Sequence, residues 1–286
     1  MQTINRLEQL REAVDALKIG GKTIALVPTM GALHEGHLTL VRQARERADH
    51  VVASIFVNPR QFGPSEDLDA YPRRLAADAA LLEAEDVALL WAPTVDQMYP
   101  EGYATNISVS GVSEVACGAA RPGHFDGVAT VVCKLFNQVR PDMALFGEKD
   151  WQQLAVIRRM ARDLDLTLPH VDAIIGVPTV REPSGLAMSS RNQYLSDAER
   201  GAAAELSAAM RRAIARIAAG EDVAASLATL EAEVLSAGFL SIDYADLRDA
   251  VTLADLPLYD GRPARLLVAA RIGGARLIDN MGLGRA

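Results

Sequence analysis

Three segments of this chain carry residue types and spacings that could do chemistry on a phosphorylated substrate. The first is Pro28-Thr29-Met30-Gly31-Ala32-Leu33-His34-Glu35-Gly36-His37. His34 and His37 are three apart, so a helical first turn points both rings the same way. Imidazoles can donate hydrogen bonds to phosphate oxygens, and Gly31 and Gly36 let the main chain approach a ligand closely. The second is Phe146-Gly147-Glu148-Lys149-Asp150. Lysine is scarce here: only Lys18, Lys22, Lys134 and Lys149 contribute to the 29 basic residues, the other 25 being arginine. An ammonium group at Lys149 can neutralise charge developing on a phosphoryl group. The third is Met188-Ser189-Ser190-Arg191-Asn192, a polar loop with two hydroxyls and a guanidinium that can wrap phosphates.

The elements around these segments decide whether they can meet. Thr23–Val27, His50–Val57, Val87–Trp91, Met143–Phe146 and His170–Val177 read as short buried strands, with Pro28 ending the first. Between and around them, Asn5–Leu17, His37–Arg47, Leu75–Glu85, Thr130–Val139 and Trp151–Leu164 read as helices. That alternation predicts an α/β fold: a Rossmann-like parallel sheet with helices on both faces. The histidine and lysine segments each follow a strand, at the carboxyl edge where open α/β sheets bind ligands. A helix beginning beside the histidines adds free amides and a partial positive charge.

The texture changes after about Val180. Long alanine-rich helices at Ala198–Ala219 and Val223–Ala237 precede strand-like runs at Ser241–Tyr244, Leu266–Ala270 and Arg276–Ile278, the last two joined by a Gly273-Gly274 turn. The expected organisation is a nucleotide-binding domain over 1–179 and a smaller C-terminal α+β lid domain over 180–286, with a turn or hinge near Arg181–Gly185. The 286 residues, about 1.9 times a typical 150-residue domain, agree with two units.

Composition narrows the function. Half the residues are hydrophobic and 23% are charged, which excludes disorder as a main theme. No uncharged apolar stretch approaches a membrane span, and the polar start Met1–Glu8 has no signal core, so a cytoplasmic location is expected. A net charge of −8 argues against nucleic acid or an anionic membrane as partner. Cys117 and Cys133 cannot build a thiolate metal site, and with Trp151 they read as packing residues. Tempting motifs fail: Gly21-Lys22-Thr23 lacks the earlier glycine of a P-loop, and His34-Glu35-Gly36-His37 has the wrong spacing for a zinc helix.

Together the segments resemble the HIGH/KMSKS nucleotidyltransferase superfamily, with His34-Glu35-Gly36-His37 as its HxGH element and Met188-Ser189-Ser190-Arg191 as its degenerate second signature. The resemblance narrows to the pantothenate synthetase family. Pro28 to His37, Phe56-Val57-Asn58-Pro59 with Gln61-Phe62, Gly147-Glu148-Lys149-Asp150 with Gln152-Gln153, and Arg181-Glu182 through Arg191-Asn192 occur in that family's order. Arg121-Pro122-Gly123-His124-Phe125-Asp126-Gly127 also resembles it, and His124 is expected to be structural.

The resemblance implies an ATP-dependent ligase that joins pantoate to β-alanine through a pantoyl-adenylate, releasing AMP and pyrophosphate. It implies ATP contacts from Met30, Gly31, Ala32, Leu33, His34, Glu35, Gly36, His37, Gly147, Glu148, Lys149, Asp150, Val180, Met188, Ser189, Ser190 and Arg191. Among these, His34, His37, Lys149 and Arg191 would be catalytic, with the family's proton donor falling on His37. Gln61 and Gln153 map to the pantoate and β-alanine site; amides orient a carboxylate while lowering its nucleophilicity less than an arginine clamp would. Mg²⁺ would arrive on the ATP phosphates. The region where relatives are more acidic reads Ala76-Ala77-Asp78 here, so no protein metal ligand is assigned. A homodimer is the family expectation. A different adenylyltransferase on the same scaffold would retain AMP in its product instead of releasing it, and a non-catalytic nucleotide-sensing module would need only ATP binding, against which Gln61 and Gln153 count.

Overall fold

Runs of Val, Ile, Leu and Ala in the first half of the chain become a fully parallel sheet in the computed structural model, which describes residues 1–64 and 66–284. Its strands are β1 (Gln2–Ile4), β2 (Ile24–Thr29), β3 (His50–Ile55), β4 (Leu89–Trp91), β5 (Met143–Gly147) and β6 (Ile174–Val177). Among the described residues their order is β1-β4-β3-β2-β5-β6. From β2 the chain winds one way through β3 and β4, then returns to the other side of β2 for β5 and β6. The boundary between β2 and β5 is therefore the topological switch point, where open α/β sheets hold their ligands.

β2 pairs with β3 along its whole length, from Ile24↔His50 to Thr29↔Ile55. Against β5 it is paired only at Ala25↔Met143 and Leu26↔Ala144. The two strands part beyond Leu26, so Pro28, which has no N–H to give, lies where β2 behaves as an edge. That is why the strand continues through Pro28 to Thr29, two residues beyond the end expected from the proline.

The helices are α1 (Leu7–Leu17), α2 (Glu35–Arg45), α3 (Leu75–Ala84), α4 (Val95–Met98), α5 (Cys117–Ala120), α6 (His124–Val139), α7 (Trp151–Asp163), α8 (Asp197–Ala218) and α9 (Val223–Ser236). Leu40, Val41 and Ala44 of α2 and Leu82 of α3 pack with Ala25, Val27, Val51, Ala53 and Leu90 on one face of the sheet. Ile24, Leu26, Val52 and Leu89, of the opposite parity, are also fully buried, and α6 packs against α1 and β2. Burial of each such side chain contributes roughly 1.5–3 kcal/mol. Trp91 is fully buried and donates its indole N–H to Gln138 Oε1 at 3.0 Å.

Several elements depart from the sequence expectation for identifiable reasons. β1 is too short to show a pattern. α6 begins at His124 rather than Thr130, because Gly127, normally a helix weakener, is used there for close packing. The expected strand from His170 opens as a 3₁₀ turn at Val171–Ala173 before β6.

The chain packs as two compact units. The first comprises Met1–Ser110, Arg121–Glu148 and Val156–Pro178; the second comprises Gly111–Ala120, Lys149–Ala155 and the chain from Thr179 onward. In the second, α8 and α9 cover an antiparallel sheet of β7 (Ser241–Asp249), β8 (Ala264–Ile272) and β9 (Ala275–Leu283), in that order. Leu266, Val268, Ala270 and Ile272 alternate onto the helix-covered face. Ser196 starts α8 with a reciprocal cap: its hydroxyl accepts the Glu199 amide and its own amide donates to Glu199 Oε2. Among the described residues no helix is long and apolar enough to cross a membrane.

Candidate active site

The first unit builds the histidine pair from main-chain geometry. After β2 the chain turns through Gly31 (φ +84°) and Ala32 (φ +51°). Thr29 Oγ1 accepts the Gly31 amide at 3.2 Å and donates to the Ser54 carbonyl at 2.8 Å. His34 is then the N-cap of α2. Its Nδ1 accepts the Gly36 amide at 3.2 Å, and His37 Nδ1 accepts the His34 amide at 3.2 Å. Both Nδ1 atoms act as acceptors, so each neutral ring carries its proton on Nε2. The ring centroids are 4.1 Å apart. Two donors of one polarity thus share the positive end of α2. The Glu35 carboxylate is in an ion pair with Arg42.

Gln61 lies at the centre of a second group in the same unit. The 3₁₀ turn Pro59–Gln61 rests on α6 at Gly127. Asn58 Nδ2 donates to Gln61 Oε1 at 3.0 Å and to the Gly127 carbonyl at 3.1 Å. The Tyr99 hydroxyl donates to Asn58 Oδ1 at 2.9 Å, and burial pushes its phenol up, which keeps that proton in place. Gln61 Nε2 reaches Met30 Sδ at 3.0 Å, so the histidine loop and Gln61 are brought together.

The Gln61 carbonyl is held as well. His124 Nδ1 donates to it at 2.8 Å, Arg121 Nη2 donates to it at 3.3 Å, and Arg121 Nη1 donates to His124 Nε2 at 3.0 Å. This sequence of partners makes His124 a neutral Nδ1–H imidazole. Arg121 also pairs with Glu66. Burial alone would raise the Glu66 carboxyl, but the Arg121 hydrogen bond and charge outweigh it and hold the group below its ordinary value. His124 thus holds the Gln61 carbonyl from the first residue of α6.

Gly147 ends β5, and space is open around its Cα. Glu148, Lys149 and Asp150 form the 3₁₀ turn that follows. Gly147 and Glu148 pack with the first unit, Lys149 and Asp150 with the second. Lys149 Nζ is 3.4 Å from Asp150 Oδ1, while the Lys149 carbonyl accepts from Asn280 Nδ2 at 2.7 Å. The next turn anchors the start of α7. Trp151 donates its indole N–H to the Ala250 carbonyl at 3.0 Å and is stacked by Arg265, 3.5 Å from the ring centre. Gln152 is buried, donating to the Val112 and Val115 carbonyls and accepting the Cys117 amide. Gln153, half-buried, is the following residue on α7.

In the second unit the segment from Val180 to Asn192 is a held turn. Met188 donates its amide to the Val180 carbonyl, and Glu182 donates to Leu186. The Arg181 guanidinium grips buried Asp279 through two bonds of 2.6 and 2.9 Å. Asn192 donates to Glu182 and to the Ala187 carbonyl. The Arg200 hydrogen bond lowers the Glu182 carboxyl. Ser189 caps the 3₁₀ turn Ser190–Tyr194 by accepting the Arg191 amide at 3.3 Å. Met188, Ser189, Ser190 and Arg191 are therefore presented on a braced main chain.

The candidates thus fall into two sets: Met30–His37, Gln61, Gly147 and Glu148 in the first unit, and Lys149, Asp150, Gln153, Val180 and Met188–Arg191 in the second. Sequence reasoning missed the part played by Asn58, Arg121 and Asp78. Asn58 stands three residues beyond β3, a strand-end position that could have flagged it. Among the described residues no three His, Cys, Asp or Glu side chains converge as a metal site. The donors present do not suit an all-protein Mg²⁺ site.

A sequence model of the family described as pantoate-beta-alanine ligase matches residues 2–282. The chain is 84% identical to the pantothenate synthetase of Novosphingobium aromaticivorans over 284 residues, 99% of each chain. It is 52% identical to that of Shewanella amazonensis, over the whole of both. The crystal structure of pantothenate synthetase from Thermus thermophilus superposes with a TM-score of 0.91 at 46% identity, covering 100% of each chain. The ligase from Francisella tularensis, described as complexed with beta-gamma ATP and beta-alanine, gives 0.82 at 33% identity, covering 98% of this chain and 97% of that one.

Proposed function

The chain belongs to the pantoate–β-alanine ligase family, and from that premise we propose that it condenses (R)-pantoate with β-alanine using ATP, by way of a pantoyl-adenylate. The observation that carries the reading is the pair His34 and His37, each fixed as an Nε2–H donor at the start of α2 beside the β2/β5 switch point. A pair of neutral donors there suits a triphosphate, and the adjoining Gln61 amide suits a hydroxy acid.

In this reading the pantoate carboxylate attacks the α-phosphorus of ATP and pyrophosphate leaves. A free carboxylate is a poor electrophile, so this activation must precede amide formation. Nε2–H of His34 and His37 donate hydrogen bonds to phosphate oxygens, His37 standing at the position of the family's proton donor, and loss of pyrophosphate as the carboxylate attacks needs no net proton transfer. The Lys149 ammonium offsets charge on the five-coordinate phosphorus. Gln61 and Gln153 orient pantoate by neutral amides. The β-alanine amine then attacks the acyl carbon and AMP leaves. Ser189, Ser190 and Arg191 contact the nucleotide, with Met188 and Val180 alongside. Mg²⁺ accompanies the ATP phosphates, and no step is assigned to a protein-held metal. The reading further includes a nucleotide- and pantoate-binding domain over 1–179, a lid over 180–286, a cytoplasmic location and a homodimer, the last testable by sedimentation.

The experiment is incubation with ATP, Mg²⁺ and pantoate labelled with ¹⁸O in its carboxylate. With β-alanine present, AMP and pyrophosphate should appear in equal amounts and one label should be transferred to AMP. Formation of ADP, or AMP without label, would overturn the adenylate route. No pantoate-dependent turnover would overturn the assignment.

A further inference from the structure

Asp78 is only 3% exposed and lies in the first turn of α3, on a different element from the residues assigned above by motif. Each of its carboxylate oxygens accepts one main-chain amide of the histidine loop: Oδ2 from Ala32 and Oδ1 from Leu33, both at 2.9 Å. A buried carboxylate is costly unless its charge is hydrogen-bonded, and here the bonds come from a turn that is itself unfavourable. Ala32 has φ +51°, a left-handed conformation that is unfavourable for an alanine because its Cβ crowds the following carbonyl. At neighbouring Gly31 (φ +84°) a Cβ would stand 3.0 Å from Asp78 Oδ2 and 3.2 Å from Ile55, so the turn is packed directly onto the carboxylate.

Two residues past this turn stands His34, the cap of α2. We propose that Asp78 is a positioning residue for adenylation: by holding the Ala32 and Leu33 amides it locks the left-handed turn and so sets the placement of the His34 and His37 donors. It acts through the main chain rather than on the substrate. A misplacement of catalytic groups by about 1 Å can cost on the order of 100-fold in rate. The inference rests on the adenylation reading above.

The test is Asp78→Asn, which keeps shape but turns one acceptor into a donor facing an N–H. Expected are a fall of about 100-fold in kcat for pantoate-dependent pyrophosphate release, a much smaller change in either KM, and faster hydrogen exchange at Ala32 and Leu33 with β3 unchanged. Ala32→Gly in the Asp78→Asn background should recover part of the loss, because glycine adopts the turn without strain. Leu82→Val, a core change four residues along α3, should lower stability without the kcat effect. Unchanged kcat in Asp78→Asn would overturn the proposal. Recovery by excess Mg²⁺ would overturn it in favour of a metal role. If Asp78→Asn does not fold, the wild-type protein decides: Ala32 and Leu33 amides exchanging as fast as an open loop would overturn it, and protection comparable to β2 would support it. A wild-type protein without pantoate-dependent turnover would instead defeat the adenylation reading, and the exchange result would still stand by itself.

Discussion

Gly127 and Arg60 meet backbone to backbone: a Cβ built on Gly127 would lie 2.3 Å from the Arg60 carbonyl oxygen and 2.7 Å from the Gln61 amide nitrogen. No rotamer change can relieve such a contact, because neither obstacle is a side chain. The glycine therefore fixes how closely the turn bearing Gln61 can rest on α6.

Gly127→Ala should push that turn away and break the Asn58–Gln61 and Asn58–Gly127 hydrogen bonds. The expected result is a KM for pantoate raised at least about tenfold, an unchanged KM for ATP, and a stability loss of about 1–3 kcal/mol from overpacking. Steady-state kinetics with each substrate varied separately, together with urea unfolding, checks both parts. Equal effects on the two substrates would show that the turn does not serve pantoate in particular.

The two ends of the His37 ring should separate by substitution. An asparagine carbonyl can still accept the His34 amide, whereas a glutamine amide extends a donor toward the Nε2 position. His37→Asn should keep α2 capped and the melting temperature near wild type, yet lose on the order of 10²–10³ in adenylation rate. His37→Gln should retain more activity than His37→Asn, because its longer side chain can place an amide donor near the Nε2 position. The reverse ranking would mean that the ring serves the helix rather than the phosphates.

Lys149 binds its surroundings mainly through its carbonyl, which Asn280 holds and which any substitution preserves. Lys149→Ala should therefore leave thermal unfolding within a few degrees of wild type while lowering kcat by about 10²–10³. Near-normal pyrophosphate release would remove the ammonium from the chemistry.

The Glu66 carboxyl supplies a pH dependence of known sign. Its folded value is lowered despite burial, because Arg121 favours the charged form. Its contribution is thus fully present above the unfolded value of about 4.3 and is lost as pH falls through the lower folded value. In Glu66→Gln the acid limb of stability should be shallower, so the difference from wild type shrinks as the pH is taken from neutrality to about 3. Partial exposure limits the size of the effect. A difference constant across that range would mean that the carboxylate gains nothing from its charge.

The strands at the centre of the sheet were legible because parallel strands covered on both faces become continuous apolar runs, as in Ile24–Val27 and Val51–Ala53. The histidine motif was legible because its residue order alone places it between a strand and a helix. What escaped was decided by partners far along the chain. Asp78 meets Ala32 across 46 residues, and that bond leaves no trace in composition or period. The helix is expected only from Thr130 but begins at His124, and the turn that needs the bare Cα of its Gly127 comes from more than sixty residues earlier. Pro28 read as a strand end because the parting of β2 from β5 is a property of the sheet. Likewise, the packing of Lys149–Ala155 with the second unit cannot be read from neighbours in sequence.

That early parting has a consequence for how such an enzyme could change its diet. Beyond Leu26, β2 stays paired with β3 but no longer with β5, so the parting is set by strand pairing rather than by any single side chain. Residues around its rim can therefore be exchanged to admit a bulkier or shorter acid while the opening itself persists.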